Sequence, residues 1–324
     1  MKKQNTPLVT DIFTADPSAH VFNDRIYIYP SHDIPHDGED NDNGDEYQMQ
    51  DYHVLSMDDK SDEVIDHGEV LHQNQVPWVS EQMWAPDVVY KNDIYHLFFP
   101  ARDKDGNFRL GIAESKKPEG PFTPRENCIK GSFSIDPCSF IDDDGKVYIY
   151  FGGLWGGQLE KYRTGKFDPQ GGEPPKDEPA VCPKCGIMKE DMSEFEGTPV
   201  DIQILDKSGN LLLSGDEDRR YFEGPWMHKY NGKYYFSYST GTTHKIVYAT
   251  SDNPLGPFTY QGVILEPVIG WTTHHSIVES HGKWYLFYHD CEYSQGINHR
   301  RCVKYCELTY NPDGTIQTIT PEYK

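Results

Sequence analysis

One pattern of apolar and polar positions recurs five times along the chain. Each copy reads as a turn, an apolar strand, a short polar hairpin and a second strand dense in Tyr and Phe. The copies are DPSAHVFNDRIYIYPSHD from Asp16, APDVVYKNDIYHLFFPAR from Ala85, DPCSFIDDDGKVYIYFGG from Asp136, EGPWMHKYNGKYYFSYST from Glu223 and THHSIVESHGKWYLFYHD from Thr273. Their hairpins carry Asn-Asp, Asp-Gly, Asn-Gly or His-Gly pairs, and Asn and Gly tolerate the positive φ of tight turns. The pattern predicts five antiparallel hairpins.

A second phrase follows several of the hairpins and supplies further strands. It reads GIAESKKPEGPFTPREN from Gly111 and YATSDNPLGPFTYQGVIL from Tyr248, with a degenerate copy from His53. Four antiparallel strands repeated around a ring are typical of a β-propeller. We therefore predict an all-β fold, a five-bladed β-propeller, as a single domain over residues 1–324. A β-sandwich or jelly roll also uses hairpins, but neither predicts a phrase that recurs at blade length.

The spacing between the hairpins is unequal, which predicts two loop insertions, near residues 34–51 and 157–197. The first is rich in Asp and Asn, and the second contains a Cys-Pro-Lys-Cys sequence from Cys182 to Cys185. That sequence resembles half of a zinc ribbon, but a structural zinc site needs four ligands and no second Cys-x-x-Cys follows. We expect the second insertion to be a surface loop.

Charge and cysteine content narrow the possible partners and the compartment. The formal net charge of −22 argues against nucleic acid as a partner, because phosphate recognition needs a positive field. No apolar run approaches the ~18 residues of a membrane span, so we expect no membrane partner. Seven cysteines, an odd number, favour a reducing compartment over a disulfide framework. We expect a cytoplasmic protein; the alternative is a periplasmic or secreted protein whose signal was removed. The sequence makes no prediction of the oligomeric state.

Ionisable residues stand at the start of the first strand in every predicted blade. They are Asp16, Asp87, Asp136, Glu223 and the His274-His275 pair. Because first strands line the central channel of a propeller, we expect these side chains to converge at one opening. Glycosidic bond cleavage needs one ionised carboxylate, one protonated carboxyl and a neighbour that separates their pKa values. The pattern therefore indicates a glycoside hydrolase.

From Pro7 to about Ile319 the chain resembles the family 43 glycoside hydrolases. The marks are ADPSAHVFNDRIYIYPSHD, WAPDVVYKNDIYHLFF, IDPCSFIDDDGKVYIYFGG and EGPWMHKYNGKYYFSYS in that order, with the PxGPF phrase. The resemblance implies a five-bladed propeller that hydrolyses xylose and arabinose linkages with inversion. It implies that Asp16 is the general base, Glu223 the general acid and Asp136 the modulator of the acid's pKa.

The resemblance also suggests a calcium ion in the channel, held largely by water, and a histidine beside it. His274 is the expected residue and His275 the alternative. It further implies an arginine that reaches the sugar, Arg301, with Arg300 as the competitor.

Trp84 and Trp155 are candidates for an apolar platform under a pentose ring. Packing between blades is the alternative for both, and it explains Trp155 at least as well. His32 is a further candidate for substrate contact.

We predict a β-D-xylosidase with α-L-arabinofuranosidase side activity, which releases terminal pentose from xylo- or arabino-oligosaccharides of plant hemicellulose. The chain ends soon after the last blade strand, so we expect its own loops to shape the pocket. An α-L-arabinofuranosidase or arabinanase is the alternative. A non-catalytic carbohydrate-binding propeller is the remote alternative, because it predicts the loss of at least one carboxylate.

Overall fold

The described residues of this computed structural model, 2–58, 61 and 63–323, form five β-sheets. Blade one contains β1 (Phe13–Phe22), β2 (Arg25–Asp33), β3 (Asp51–Met57) and β4 (Val64–His72). Blade two contains β5 (Val79–Glu81), β6 (Asp87–Lys91), β7 (Ile94–Asp103), β8 (Phe108–Ser115) and β9 (Thr123–Pro124). Blade three contains β10 (Cys138–Ile141), β11 (Val147–Phe151), β12 (Lys184–Ile187) and β13 (Val200–Asp201).

Blades four and five complete the set. Blade four contains β14 (Ile204–Leu205), β15 (Glu223–Tyr230), β16 (Lys233–Ser239), β17 (Ile246–Ser251) and β18 (Phe258–Leu265). Blade five contains β19 (His275–Ser280), β20 (Lys283–Asp290) and β21 (Cys302–Leu308). Short 3₁₀ helices occupy Gln73–Gln75, Trp155–Gly157 and Leu159–Tyr162. No helix among the described residues has the length and apolar character needed to cross a membrane.

The first long strand of each blade faces the centre of a closed ring. β1 contacts β6 and β19, β10 contacts β6 and β15, and β15 contacts β19. The predicted five-bladed propeller is confirmed. The N-terminal segment supports closure of the ring, because the backbone amides of Asn5 and Leu8 donate to the carbonyls of Tyr305 and Val303 on β21.

The predicted hairpin turns form where the sequence places them. The φ angles of Asn23 and Asp24 are 51° and 65°, and those of Asn231 and Gly232 are 49° and 78°. Two consecutive positive φ values are the requirement of the turn that matches the twist of paired strands. The degenerate hairpin after His53 is formed by β3 and β4, and residues 59, 60 and 62 of it lie outside the described part of the chain.

Aromatic side chains fill the spaces between neighbouring blades. Tyr29 and Phe99 belong to the core between blades one and two, and Phe98 and Phe151 to the core between blades two and three. Each of these four side chains is 1% exposed or less. Burial of one such ring contributes ~1.5–3 kcal/mol, so these cores hold the inner strands, and the residues at their starts, in fixed positions.

The prediction that residues 157–197 form a surface loop is wrong in part. Lys184–Ile187 is the third strand of blade three and pairs with β11, where Cys185 lies opposite Tyr150. Cys182 and Cys185 are both free thiols. Burial raises the pKa of Cys182 to about 11, which favours the neutral thiol over the thiolate that binds metals. The Cys-x-x-Cys sequence is therefore the entry to a strand.

Candidate active site

A cavity lies where the inner strands begin, and Asp16, Asp136 and Glu223 all line it. Its volume is about 200 Å³, below the ~300–1,000 Å³ of typical clefts for drug-sized ligands. The three carboxylates come from blades one, three and four. The fold therefore brings the three carboxylates together at one opening, as the sequence predicts.

Unusual backbone geometry aims these side chains into the cavity. Asp16 and Asp136 each precede a proline, and their φ angles are 48° and 57°. Outside tight turns non-glycine residues seldom adopt this region, and they are held there only where the surrounding structure enforces it, as at many functional sites. The register of β1 with β2 shifts between Ala15 and Ser18, and that of β15 shifts after Glu223. Such bulges re-aim side chains beside active sites.

Asp16 is surrounded by hydrogen-bond donors. Ser31 Oγ donates to Asp16 Oδ2 across 2.5 Å, and Arg301 Nη1 donates to Asp16 Oδ1 across 3.1 Å. Burial alone would raise the pKa of Asp16, but the guanidinium charge, followed by the neighbouring imidazoles of His289 and His274 and the Ser31 hydrogen bond, outweighs it and lowers this pKa to about 2. Asp16 is therefore ionised at neutral pH.

Glu223 and Asp136 are in the opposite electrostatic situation. Burial, followed by the charges of Asp136 and Asp16, raises the pKa of Glu223 well above its ordinary value. Burial and the charge of Asp16 likewise raise the pKa of Asp136, but the amide of Gly224 donates to Asp136 Oδ2 across 3.0 Å. That hydrogen bond favours the ionised form of Asp136, so the surroundings of Glu223 favour a proton more than those of Asp136 do.

Arg301, and not Arg300, lines the cavity. Its guanidinium donates from Nε and Nη2 to the two carboxylate oxygens of Asp33, across 2.8 and 2.7 Å, and its Cζ lies 4.6 Å from the centroid of the Tyr47 ring. This bidentate pairing fixes the plane of the fork. Arg301 thus places a fixed positive charge beside Asp16.

His274 lines the cavity, whereas His275 points away from it and its Nε2 lies 2.6 Å from Ser237 Oγ. Strand alternation separates the two neighbours as expected. His274 Nε2 lies 3.9 Å from Asp136 Oδ2. Neither ring nitrogen of His274 has a hydrogen-bond partner among the residues that the structure describes, and burial lowers its pKa.

Trp84 and Trp155 both line the cavity, and hydrogen bonds from their indole nitrogens hold the rings in position. Trp84 Nε1 donates to the carbonyl of Tyr47 across 2.9 Å, and Trp155 Nε1 donates to Glu173 Oε1 across 2.8 Å. A third indole, Trp271, lies 5.5 Å from Trp155 between ring centroids and also lines the cavity. The sequence analysis missed Trp271, although its position three residues before His274 is a usable signal.

Two further candidates, His32 and Asp87, are also absent from the described residues that line this cavity. His32 Nδ1 lies 2.7 Å from Asp51 Oδ1, on blade one outside the cavity lining, and the predicted substrate contact of His32 stays a prediction. Asp87 is fully buried, 2.6 Å from His20 Nε2, and accepts from Ser139 Oγ across 2.7 Å. Asp87 thus links blades one, two and three.

Residues 34–50, the loop between β2 and β3, form one wall of the cavity. Asp40, Glu46 and Tyr47 of this loop line it. Arg102 Nη2 donates to the carbonyl of Asn43 across 3.0 Å, and Asn298 Nδ2 donates to Asp40 Oδ2 across 2.6 Å. The loop is thus fastened to blade two and to the β20–β21 connection, and it narrows the mouth.

Comparisons with known proteins agree with this geometry. The family model "Glycosyl hydrolases family 43" matches residues 7–316. A xylosidase/arabinosidase 43A of Humicola insolens is 57% identical over 98% of this chain and 99% of its own, and a xylosidase/arabinosidase of Bacteroides ovatus is 54% identical over 98% of each.

A solved structure gives the same answer. CoXyl43, a β-xylosidase/α-arabinofuranosidase from a compost microbial metagenome, crystallised with xylotriose in a calcium-free form, is 56% identical. It superimposes with a TM-score of 0.98 over 100% of this chain and 99% of its own. The chain therefore belongs to glycosyl hydrolases family 43 and is a glycoside hydrolase.

Proposed function

We propose that this protein is an exo-acting β-D-xylosidase that also releases α-L-arabinofuranosyl groups, and that it acts by a single displacement with inversion. The observation that carries the proposal is the opposite electrostatic setting of Asp16 and Glu223 in one small cavity. The surroundings of Asp16 favour its ionised form and those of Glu223 favour its protonated form, as acid–base cleavage of a glycoside requires. The names of the similar proteins support the choice of xylose and arabinose.

The proposed reaction moves two protons. The Asp16 carboxylate accepts a proton from a water molecule as the water oxygen attacks the anomeric carbon. Glu223 donates its proton to the glycosidic oxygen as the bond to the leaving group breaks. Asp16 ends protonated and Glu223 ionised, and exchange with solvent restores both. Water attacks the face opposite the leaving group, so the product has the inverted configuration.

Asp136 and Arg301 are proposed to act through these two groups. The charge of Asp136 keeps the proton on Glu223, and the charge of Arg301 keeps the proton off Asp16. We propose that Trp84, Trp155 and Trp271 contact the sugar rings, because flat apolar faces of indoles pack against pentose carbons. The fastened 34–50 loop supports removal of a terminal sugar over cleavage within a polymer.

A calcium ion beside His274 is also part of the proposal. The residues fit such an ion because neither ring nitrogen of the buried His274 has a partner among the described residues, so a nitrogen can accept a hydrogen bond from a water on the ion, and Asp136 Oδ2 lies 3.9 Å from Nε2. Calcium prefers oxygen ligands, so water would complete its shell. The bound ion would supply positive charge near the carboxylates.

Product analysis tests the proposal. With xylotetraose the protein is expected to release xylose from the first turnover, and it is expected to hydrolyse both aryl β-D-xyloside and aryl α-L-arabinofuranoside. Early release of xylobiose would contradict exo action. Turnover of neither aryl glycoside would contradict the proposed substrates.

A further inference from the structure

A cluster of metal-ligating side chains lies on blade one, outside the cavity. We propose that His32, Asp51 and His53 form a binding site for a first-row transition metal ion, zinc in the first place. One ligand atom from each residue lies within 4.8 Å of the others. Imidazole nitrogen and carboxylate oxygen are ligands that zinc accepts, with water in the fourth position. This inference is independent of the proposed glycosidase activity.

The register of the sheet brings the three side chains to one face. Ser31 on β2 pairs with Tyr52 on β3, so the next residues along the antiparallel pair, His32 and Asp51, are neighbours. Asp51 and His53 are two apart on one strand and therefore face the same side. Asp33 faces the other side, toward Arg301.

The distances in the cluster suit a small ion. His32 Nδ1 lies 2.7 Å from Asp51 Oδ1, and His53 Nε2 lies 3.9 Å from the same oxygen. Ligand atoms about 2.0–2.1 Å from a tetrahedral ion stand ~3.3 Å apart, which falls between the two distances. The bound ion would take the place of the proton that His32 Nδ1 shares with Asp51 Oδ1, and that proton would be released to solvent. The side chains of His32 and His53 are 17% and 15% exposed, enough to admit an ion from solvent.

Asp66 prepares His53 for this role. Both carboxylate oxygens of Asp66 lie 3.0 Å from His53 Nδ1. The carboxylate holds the proton on Nδ1, which leaves the lone pair on Nε2, the atom that faces Asp51. Metal-binding histidines commonly have such a carboxylate on the distal nitrogen, and it fixes both the tautomer and the ring orientation.

A rival group of Asp51, Glu69 and His72 also has suitable spacing, but its histidine is in the wrong tautomer. His72 Nδ1 accepts a hydrogen bond from the amide of Asn74 across 3.1 Å. In the neutral ring Nε2 therefore carries the hydrogen and offers no lone pair. The geometry points to His53 rather than His72.

The consequence concerns the cavity wall. His32 and Asp33 lie at the end of β2, directly before the 34–50 loop, and Asp51 lies directly after it. An ion bound by His32 and Asp51 would join the two ends of this loop. We expect it to hold the loop, with Glu46 and Tyr47, in the position that narrows the cavity.

The test uses the full chain freed of metal with chelator and titrated with zinc by calorimetry and with cobalt by visible absorption. One zinc ion per chain that requires His53 is expected, with a Kd below ~0.1 mM, and any ion taken up beside His274 is expected to persist in His53→Gln. His53→Gln, His32→Asn and Asp66→Asn are each expected to weaken zinc binding ~10- to 100-fold. The matched controls His67→Gln, on the same blade and 2.7 Å from Ser56, and His72→Gln are expected to bind zinc as the parent does. Calcium is not expected to displace the zinc, since it prefers oxygen ligands.

Three results would overturn the site: no zinc binding below that Kd, parental binding by His53→Gln, or a thiolate-to-cobalt absorption band that indicates cysteine ligands. Circular dichroism of the metal-free variants checks folding, and zinc is expected to raise the Tm of the parent but not of His53→Gln. Hydrogen exchange of residues 34–50 is expected to slow with zinc in the parent alone. Unchanged exchange in the parent would overturn the inferred effect on the loop.

Discussion

Arg301 Nη1 donates a hydrogen bond to Asp16 Oδ1 across 3.1 Å, and the two residues stand 285 positions apart in the chain. The contact exists only because blade five closes the ring beside blade one. Asp33 holds the guanidinium in place from β2. Ring closure thus sets the charge state of the carboxylate proposed as the base.

Removal of the Arg301 charge is expected to change the acidic side of the pH profile. In Arg301→Met the pKa of Asp16 rises from about 2, because burial is no longer offset by the guanidinium. Asp16 must be ionised to accept a proton. As the pH is lowered, the variant is therefore expected to lose activity at a higher pH than the parent does. The measurement is kcat/KM against pH.

Two variants make this result specific. Arg301→Lys keeps a positive charge and is expected to shift the acidic limb less than Arg301→Met. Arg300→Met changes the neighbouring arginine, which does not line the described cavity, and is expected to leave the limb in place. An acidic limb that is the same in Arg301→Met and in the parent would contradict the role given to Arg301.

The alkaline side depends on Asp136. In Asp136→Asn the negative charge that raises the pKa of Glu223 is lost, so Glu223 loses its proton at a lower pH. The alkaline limb of kcat/KM is therefore expected to move to lower pH, together with a fall in kcat. An unchanged or higher alkaline limb would contradict the assignment, provided that the Tm shows a folded variant.

Substitution of Glu223 is expected to depend on the leaving group. Glu223→Gln removes the proton donor, and general acid catalysis contributes ~10²–10⁴-fold. Hydrolysis of xylobiose, whose leaving group needs a proton, should fall by about that factor. Hydrolysis of 2,4-dinitrophenyl β-D-xyloside should fall much less, because its leaving group departs as the anion. Equal losses on both substrates, measured by kcat, would argue against Glu223 as the acid.

The 34–50 loop is expected to control substrate binding through Gly44. Its φ is +72°, and an added Cβ would stand 2.6 Å from Cη2 of Trp84. Gly44→Ala should displace the loop or the indole and raise KM for xylobiose. Gly68→Ala is the matched control, since its φ is +80° and no atom lies within 4 Å of the added Cβ.

Both substitutions cause the same backbone strain of ~1–2 kcal/mol. A difference in KM between the two variants therefore reports the contact with Trp84. Equal KM values for the two variants would show that this contact does not shape the binding site.

The architecture could be predicted because its signals are local and repeated. Pairs such as Asn231-Gly232 form tight turns whatever surrounds them, and five copies fix the number of blades. The positions of Asp16, Asp136 and Glu223 follow, since the inner strands of the blades begin at one end of the channel. The same rule brought in Asp87, which is instead held by His20 and Ser139.

Features that depend on non-local packing could not be predicted from the sequence. The sequence of the 34–50 loop has no periodic pattern of apolar residues. The position of Tyr47 in the cavity wall therefore depends on how the loop packs onto blade two, which the sequence does not indicate. Cys185 lies in a strand because β11, with Tyr150 opposite Cys185, provides a free edge for pairing. The turn-forming residues around Cys185 predict a loop instead. The tautomer of His53 depends on Asp66, which lies on the neighbouring strand.

The anomeric configuration of the first product tests the central claim most directly. Proton NMR during the first minutes of hydrolysis of an aryl β-D-xyloside resolves the newly formed xylose before mutarotation mixes the anomers. With Asp16 as a base that activates water and Glu223 as the acid, α-D-xylose is expected to appear first. Initial formation of β-D-xylose would mean that configuration is retained, and it would contradict the mechanism.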